Sequence, residues 1–427
     1  MILHSAAQLL TLQGGIQRGA RLGQLGILED GAVATSGSQI LAVGSTSHIL
    51  ENYTTDQMVD ATGKVVLPGF VDPHTHLVWA GDRSAEFEMR VGGASYMEIM
   101  AAGGGIAATV KATRAASLAD IKSQARPRIQ HMLAHGTTTA EAKSGYGLDG
   151  ETETKLLTAI VELDQEGPLQ LVPTFLGAHA LPPDSTELGE AGYERYTHEL
   201  VEKMLPQIHE WWQTDYTDRP LPFVDVFCEQ GAFNLAQSER ILTAAQALGF
   251  PLKIHADEFA GLGGTQLAVR LGAISADHLV HTPPGDIAAL GASTTVAVAL
   301  PGTPFGLGQH EYTPAGAFLA QDGILALASD LNPGTAWCES MQMVIALACR
   351  YMNLTPAQAI AAATINAAAA LKLEMSIGSL EAGKQADILI LDAPDYRHLG
   401  YRFGVNLIAM TVKRGQIVYT APGNMEA

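Results

Sequence analysis

The sequence is poor in basic side chains, and this scarcity excludes several classes of partner. Lys and Arg number 25 against 44 Asp and Glu, which gives a formal charge of -19 at pH 7. Such a charge repels the phosphate backbone of nucleic acids and the surface of anionic membranes. We therefore expect no nucleic acid and no membrane partner. An anionic small molecule would need a local cation in its pocket.

Cysteines and long apolar segments are scarce as well. The three cysteines, Cys228, Cys338 and Cys349, are too few and too widely spaced for a disulfide framework or a zinc finger. No run of about 18 apolar residues is present, and the chain does not begin with the basic segment of a secretory signal. These absences favour a cytoplasmic protein with reduced thiols.

Most of the chain alternates between apolar segments of strand type and longer segments of helical period. This alternation is typical of an α/β protein with a parallel sheet, and eight strands are the number that a (β/α)8 barrel of the TIM type requires. The predicted strands are 65–76, 137–143, 169–179, 223–229, 252–258, 276–280, 294–300 and 324–330. The predicted helices include 151–166, 193–212, 235–248, 264–271, 341–352 and 356–371.

Both chain ends consist instead of short strands separated by turns. With 427 residues, the chain exceeds the roughly 250 residues of a typical barrel by enough for a small second domain. We predict one small β-sandwich domain built from residues 1–66 and 374–427, and a catalytic barrel domain over 67–373.

Histidine and aspartate lie where the predicted strands end. His74 and His76 are separated by one residue, so two imidazoles can share one face of an extended strand and reach one metal ion. His255 and Asp330 lie at the ends of two later strands, and the active sites of such barrels lie at the carboxyl ends of the strands. Nitrogen and carboxylate ligands suit zinc or iron. The set predicts a catalytic site that holds one Zn²⁺ or one iron ion, Fe²⁺ or Fe³⁺, per chain.

Each of these residues also has an ordinary structural interpretation. A single His-x-His is weak evidence, His255 could be a buried core histidine, and Asp330 could be a turn former before Asn332 and Pro333. The ordered set outweighs these alternatives. A second metal ion is not expected, although Cys228 or Glu229 could support one.

The motifs around these residues resemble those of the amidohydrolase superfamily, in particular its mononuclear branch. The segments that carry the resemblance are Pro-Gly-Phe-Val-Asp-Pro-His-Thr-His at 68–76, Glu-Ala-Lys-Ser-Gly-Tyr-Gly at 141–147, Thr-Phe-Leu-Gly-Ala-His at 174–179, His-Ala-Asp-Glu at 255–258 and Ser-Asp-Leu-Asn-Pro-Gly-Thr at 329–335. Within the superfamily, the chain most resembles the enzymes of histidine degradation that open the imidazolone ring.

The resemblance implies hydrolysis of the cyclic amide of 4-imidazolone-5-propanoate to N-formimidoyl-L-glutamate, and it implies a homodimer. It also assigns roles to individual residues. The implied metal ligands are His74, His76, His255 and Asp330; the implied catalytic residues are Glu258, His278 and Asp330; and the implied substrate contacts are Arg83, Tyr146, His179, Glu258, Asn332, Gly334 and Thr335. Arg83 would hold the propionate, because a guanidinium binds a carboxylate bidentately. Lys143 and Tyr96 are expected near the pocket without an assigned role.

Alternatives remain open at this point. Another mononuclear amidohydrolase, such as a cytosine or guanine deaminase, would use the same metal ligands, and a catalytically silent barrel could serve as a scaffold. Arg83 could form a surface salt bridge with Asp82 or Glu86, and Glu258 could be a helix cap or a solvated charge. Tyr146 and His179 could be packed barrel residues, and the segment after Asp330 could be an ordinary Asn-Pro-Gly turn.

Overall fold

The computed structural model describes residues 1–94, 98–99 and 102–422, so Tyr96 lies outside the described residues. The strands are β1 (Ile2–Ala6), β2 (Gln8–Leu10), β3 (Ile27–Leu28), β4 (Gly31–Ser36), β5 (Gln39–Ser45), β6 (Met58–Asp60), β7 (Val65–Pro68), β8 (Phe70–Asp72), β9 (Thr137–Lys143), β10 (Gln170–Ala178), β11 (Phe223–Cys228), β12 (Lys253–Ala256), β13 (Ser275–His278), β14 (Val296–Ala299), β15 (Leu325–Leu327), β16 (Ile388–Leu391), β17 (Ile408–Lys413) and β18 (Gln416–Thr420). The longer α-helices are Ile106–Ala115, Leu118–Ala134, Gly150–Glu166, Glu190–Glu199, Leu205–Asp215, Leu235–Ala247 and Met341–Tyr351, and the shorter ones are Thr46–Asn52, Ser84–Val91, Gly264–Leu271, Pro284–Gly291, Gly302–Leu307, Ala315–Ala320, Pro356–Ala362, Ile365–Ala369 and His398–Tyr401.

Strands β8 to β15 form the predicted barrel. They lie side by side in chain order in one eight-stranded sheet, and every neighbouring pair is parallel. The first and last strands meet beyond their carboxyl ends, where Thr75 and Leu331 form a parallel bridge. The amide of His76 donates to Leu331 O at 2.8 Å, and the amide of Asp330 donates to His74 O at 3.1 Å. The candidate metal ligands His74, His76 and Asp330 therefore lie where the barrel closes.

The predicted continuous strand over 65–76 is wrong. The chain leaves β7 at Pro68, turns at Gly69 and resumes as β8, so the two histidines follow a three-residue strand rather than lying in a long one. Gly69 permits a close approach of backbone to the neighbouring strand, because a Cβ there would lie 2.2 Å from Thr138 Oγ1. This short break transfers the chain from one sheet to another.

The small domain contains two packed sheets, which confirms the predicted sandwich. One sheet has the order β5-β4-β1-β6, and the other has the order β18-β17-β16-β7-β2-β3. Strands from both chain ends therefore pair directly, with β7 antiparallel to β16. Near the carboxyl end, β17 and β18 form an antiparallel hairpin.

The central strands β7 and β16 of the six-stranded sheet are buried on both faces. Val66 and Ile390 point into the core between the two sheets, whereas the alternate residues Val65 and Leu391 belong to the core that fills the barrel and its helices. Burial on both faces explains why β7 and β16 are almost wholly apolar instead of alternating with polar residues. The small domain and the barrel thus share one packed interior.

The predicted helices are present with altered bounds. The segment predicted as 193–212 begins earlier, as Glu190–Glu199, and continues through a π-helical stretch, Leu200–Met204, into Leu205–Asp215. The segment predicted as 356–371 is interrupted at Thr364, whose φ of -129° and ψ of -93° are not helical. Among the described helices, none is both long enough and apolar enough to cross a bilayer.

Candidate metal centre and substrate cavity

The four predicted metal ligands converge where the barrel closes. His74 and His76 follow β8, His255 lies within β12, and Asp330 follows β15, and all four are at least 97% buried. Ligand atoms of His74, His76 and Asp330 lie within 4.8 Å of one another, and Asp330 Oδ1 is 3.6 Å from Nε2 of both imidazoles. In a second group, the ligand atoms also lie within 4.8 Å of one another; this group consists of His74, His255 and His278.

The chemistry of these donors fits a divalent cation. Burial lowers the pKa of His74 and of His76 well below the usual value, so both imidazoles are neutral and have lone pairs available at pH 7. His74 Nδ1 hydrogen-bonds Asp277 Oδ2 at 2.6 Å, while its Nε2 is buried without a protein partner. A carboxylate on one ring nitrogen directs the other nitrogen towards a metal ion.

Asp330 is held in position by its neighbours and by its own backbone. The Thr303 hydroxyl donates to Oδ2, which leaves Oδ1 facing the imidazoles. The residue has a φ of 54°, a left-handed conformation that costs a non-glycine residue about 1–3 kcal/mol. Burial raises the pKa of Asp330 to about 6, although the hydrogen bond from Thr303 lowers it. A buried carboxylate with this pKa suits proton transfer near neutral pH.

A network of buried charges lies beneath the ligands. Lys143 Nζ is 2.7 Å from Asp225 Oδ2 and 2.8 Å from Glu141 Oε2, and Lys253 Nζ is 3.1 Å from Glu141 Oε1. Both ammonium groups also approach Asp277 Oδ2, at 3.9 Å and 3.8 Å. All five side chains are fully buried. Burial opposes the charge of Lys143, yet Asp225, Glu141 and Asp277 together raise its pKa above the usual value.

This network contacts two of the ligand candidates. Asp277 accepts the hydrogen bond from His74, and Asp225 Oδ2 lies 3.0 Å from His255 Nδ1. Sequence reasoning missed these positioning groups. The available signal was a set of charged residues inside otherwise apolar barrel strands, which is unfavourable unless the charges pair with one another.

The predicted substrate contacts meet in one cavity of about 170 Å³ above the ligands. The cavity is lined by His76, Arg83, Ile106, Tyr146, His179, Phe227, His255, Glu258, Phe259, His278, Asp330, Asn332, Gly334 and Thr335. It therefore brings together every metal-ligand, catalytic and substrate-contact residue that the resemblance implies except His74, whose ring centroid lies 4.4 Å from that of His255. The apolar lining residues Ile106, Phe227 and Phe259 carried no signal in the sequence.

Two polar rings occupy one wall of the cavity. His179 stacks on His76 with ring centroids 4.8 Å apart, and its Nδ1 donates to Gly145 O at 2.9 Å, which leaves Nε2 as an acceptor. Tyr146 is 3% exposed and lies on the loop after β9. Glu153, a buried residue that sequence reasoning missed, fixes this loop by accepting bonds from three backbone amides, those of residues 145, 147 and 148, at 2.8 Å each.

The segment after Asp330 is an internally bonded turn. Asn332 Oδ1 accepts the backbone amides of Gly334 and Thr335, each at 2.8 Å, and Asn332 Nδ2 donates to Asp330 O at 2.7 Å. The turn itself therefore uses the backbone amides of Gly334 and Thr335. The turn places the three residues at the cavity wall and braces Asp330.

Glu258 and His278 face each other across the cavity floor. His278 Nδ1 lies 3.7 Å from Glu258 Oε2, and both residues are less than 10% exposed. Burial raises the pKa of Glu258 well above the usual value, and nearby Asp330 and Glu229 raise it further. Glu258 is thus neither a solvated loop charge nor a helix cap in this structure.

Arg83 forms a salt bridge and also lines the cavity, so both interpretations of this residue apply. Its Nε and Nη2 donate to the two oxygens of Glu86 at 2.9 Å and 2.5 Å, while Asp82 bonds Ser84 instead. Arg83 nevertheless lines the cavity, and it also lines an outer chamber of about 430 Å³ next to the cavity. The salt bridge and the cavity position are therefore compatible.

Comparison with known proteins agrees with this geometry. The model of the Amidohydrolase family matches residues 65–418. A protein named imidazolonepropionase from Herpetosiphon aurantiacus is 54% identical over 94% of this chain and 93% of its own length. Another of the same name, from Chloroflexus aggregans, is 48% identical over 98% of both chains.

The chain belongs to the amidohydrolase family and, within it, to the imidazolonepropionases. It is accordingly a hydrolase that acts on carbon–nitrogen bonds. Two solved structures of deaminases show the same fold at low identity. A zinc-containing adenosine deaminase from Xanthomonas campestris aligns over 97% of this chain and 92% of its own, with a TM-score of 0.71 and 19% identity. The guanine deaminase of Escherichia coli aligns over 98% of this chain and 99% of its own, with a TM-score of 0.71 and 14% identity. At such identities, the likeness concerns the fold alone.

The residues considered for a second metal ion are otherwise engaged. Glu229 accepts the backbone amides of Gln230 at 2.7 Å and Phe259 at 2.9 Å, so it caps the loop that follows His255. Cys228 is fully buried, and burial raises the pKa of its thiol to about 11. Neither residue belongs to the metal-binding groups found among the described residues.

Proposed function

We propose that the protein hydrolyses 4-imidazolone-5-propanoate to N-formimidoyl-L-glutamate. The observation that carries the proposal is one cavity in which the metal-ligand candidates and the Arg83 guanidinium face the same space. The ligands suit hydrolysis of a cyclic amide, and the guanidinium suits a substrate with a carboxylate tail. The names of the relatives support the same reaction.

One metal ion per chain, Zn²⁺ or an iron ion (Fe²⁺ or Fe³⁺), is the proposed cofactor. His74, His76, His255 and Asp330 would hold it, because their donor atoms converge and the imidazoles of His74 and His76 are neutral. When bound, such an ion supplies Lewis acidity, which activates water and polarises a carbonyl group.

Asp330 is the proposed proton carrier. Hydrolysis joins the oxygen of water to the ring carbonyl carbon and breaks the bond from that carbon to the ring nitrogen. Asp330 Oδ1 accepts the proton from water and then delivers it to the departing nitrogen, which restores the carboxylate. The pKa of about 6, raised by burial, matches a group that must both take up and release a proton.

His278 and Glu258 are proposed to hold the reacting ring. His278 lies beside the ligands and can hydrogen-bond the water or the oxygen on which negative charge develops. Glu258, whose pKa is raised by burial, faces the same space and can bind ring N–H groups. Tyr146 and His179 contact the substrate from the opposite wall, and Asn332, Gly334 and Thr335 shape the pocket end next to Arg83.

We also propose the division into a small domain of residues 1–66 and 374–427 and a barrel of residues 67–373, a boundary that falls within β7. A homodimer in the cytoplasm remains the proposed state and location, with a small anionic substrate and no nucleic acid or membrane partner. The net charge of -19 supports the last two exclusions.

The test is an assay of the purified protein with 4-imidazolone-5-propanoate beside cytosine, guanine and adenosine. We expect turnover of the first compound only, because the deaminase substrates have no carboxylate for Arg83. Turnover of a nucleobase would favour the deaminase alternative. Absence of turnover with all four, in protein that contains about one metal ion per chain, would favour a silent scaffold.

A further inference from the structure

The guanidinium of Arg83 is held from one side only. Glu86 accepts from Nε at 2.9 Å and from Nη2 at 2.5 Å, a side-on bidentate pair. A guanidinium has five N–H donors, so this pair uses two and leaves the edge formed by Nη1 and the second hydrogen of Nη2. Among the described residues, none accepts a hydrogen bond from Nη1. The remaining edge can still take a second carboxylate bidentately.

The backbone of Gly334, a residue without a side chain, packs closely against this end of the guanidinium. A Cβ at Gly334 would lie 2.4 Å from Arg83 Nη1 and 2.9 Å from Cζ, a distance at which one of the two residues must move. Gly334 is itself held by the turn around Asn332 and by Arg90, whose Nη1 lies 3.3 Å from Gly334 O. The guanidinium end therefore rests against a fixed backbone.

Glu86 also connects Arg83 to a second segment of the cavity lining. Its Oε2 accepts the backbone amide of Gly105 at 2.8 Å, and the next residue, Ile106, lines the cavity. Both side chains of the ion pair are largely buried, with exposures of 14% for Arg83 and 11% for Glu86. Burial raises the pKa of Glu86, but the bonds from Arg83 and Gly105 outweigh this and hold it below the usual value.

We propose that Glu86 is the positioning residue that aims the free edge of Arg83 at the carboxylate of the ligand, so that the Glu86–Arg83 pair selects ligands with a propionate tail. This inference rests on the proposed function. Without Glu86, the long arginine side chain would spread over several rotamers and lose the alignment that bidentate binding requires. An opposing effect exists, since Glu86 repels a ligand carboxylate. We expect the fixed orientation of the guanidinium to outweigh this repulsion, because bidentate pairing depends on orientation.

The experiment measures equilibrium binding by isothermal titration, which does not depend on turnover. The probes are 3-(imidazol-4-yl)propanoate and its primary amide, which differ only in the charge of the tail. We expect Glu86→Gln to weaken binding of the propanoate by about tenfold and to leave binding of the amide within about twofold. In the background of Arg83→Ala, which weakens the propanoate by itself, Glu86→Gln should add no further loss.

Glu88→Gln is the matched control, because Glu88 is exposed on the same helix, Ser84–Val91, and carries the same charge. Glu86→Asp provides a second variant that retains the charge and should lose less affinity than Glu86→Gln. Unchanged or tighter binding of the propanoate by Glu86→Gln, or an equal loss for the amide, would overturn the inference. So would additive losses in the double variant.

Failure of the proposed function has a different signature. If the wild type does not hydrolyse imidazolone propanoate but binds the imidazole propanoate in a manner that depends on Arg83 and Glu86, only the reaction is wrong. If hydrolysis occurs and Arg83→Ala raises KM while Glu86→Gln changes neither KM nor propanoate binding, only the positioning role is wrong.

Discussion

Asp330 performs two tasks that a single substitution can separate. One oxygen faces the imidazoles of His74 and His76, and the other is held by Thr303. Asp330→Asn preserves the shape and one oxygen but removes the ability to accept a proton. We expect kcat to fall by about 10²–10⁴-fold. Steady-state kinetics, with metal content measured by mass spectrometry on the same samples, checks this. A variant that retains both the metal and the turnover would contradict the assignment.

The pH dependence of activity should report the same carboxyl group. A general base works only when deprotonated, so activity is lost as pH falls through its pKa. Burial raises the pKa of Asp330 to about 6, and a nearby cation would lower it again. We therefore expect the acid limb of kcat/KM to have its midpoint at or below about pH 6. If the acid limb of the wild type has a midpoint above pH 7 and Asp330→Asn lacks this limb, the pKa of Asp330 is higher than its environment predicts.

At the scale of elements, barrel strands contribute charged side chains from below the ligands. Asp277 on β13 holds His74, and Lys143 on β9 lies between Asp277 and Asp225 on β11. Carboxylates that orient metal-binding histidines typically contribute 10- to 100-fold in metal affinity. We expect Asp277→Asn to weaken zinc binding by about that factor, as measured by competition with a chromogenic chelator.

The control for Asp277→Asn is Ser275→Ala on the same strand. The Ser275 hydroxyl is fully buried without a hydrogen-bond partner, so its removal should leave metal affinity unchanged. Thermal unfolding in the presence of a chelator separates loss of metal affinity from loss of fold. Equal metal affinity for Asp277→Asn and wild type would mean that His74 needs no carboxylate to point inward.

The elements, and the convergence of the candidate metal ligands, were largely predictable from the sequence, and the reasons for the exceptions are physical. Alternating strand and helix patterns identified the barrel, because parallel strands buried on both faces are continuously apolar. The break at Gly69 was not predictable, since β7 and β8 are both apolar and only the pairing of β7 with β16 separates them. Glu153 was missed because its partners are backbone amides that the fold alone brings near. Glu86 was considered only as a surface partner of Arg83, because its bond to the Gly105 amide depends on the fold.

At the scale of the whole molecule, the two chain ends fold against the barrel instead of forming an independent unit. The sheet that contains β7 and β16 buries one face in the sandwich and the other in the barrel core. One residue, Gly69, separates β7 from the first barrel strand. The small domain and the barrel should therefore unfold together in one transition.

The substitution Leu389→Ala tests this coupling. Leu389 is fully buried on β16 and belongs to the core that the sheet shares with the barrel. A cavity there should lower the free energy of unfolding by about 2–5 kcal/mol. The control Leu41→Ala lies on β5 of the same domain, where Leu41 is 47% exposed, and should change it by less than about 0.5 kcal/mol.

Urea denaturation of these variants can be followed by two probes that report different regions. Far-ultraviolet circular dichroism reports the entire chain, whereas the four tryptophans, Trp79, Trp211, Trp212 and Trp337, all lie between β8 and β16, so their fluorescence reports the barrel. If the interior is shared, Leu389→Ala shifts both transitions equally, although the substitution lies in the small domain. A shift seen only by circular dichroism, or two separate transitions in the wild type, would show that the sheet and the barrel unfold independently.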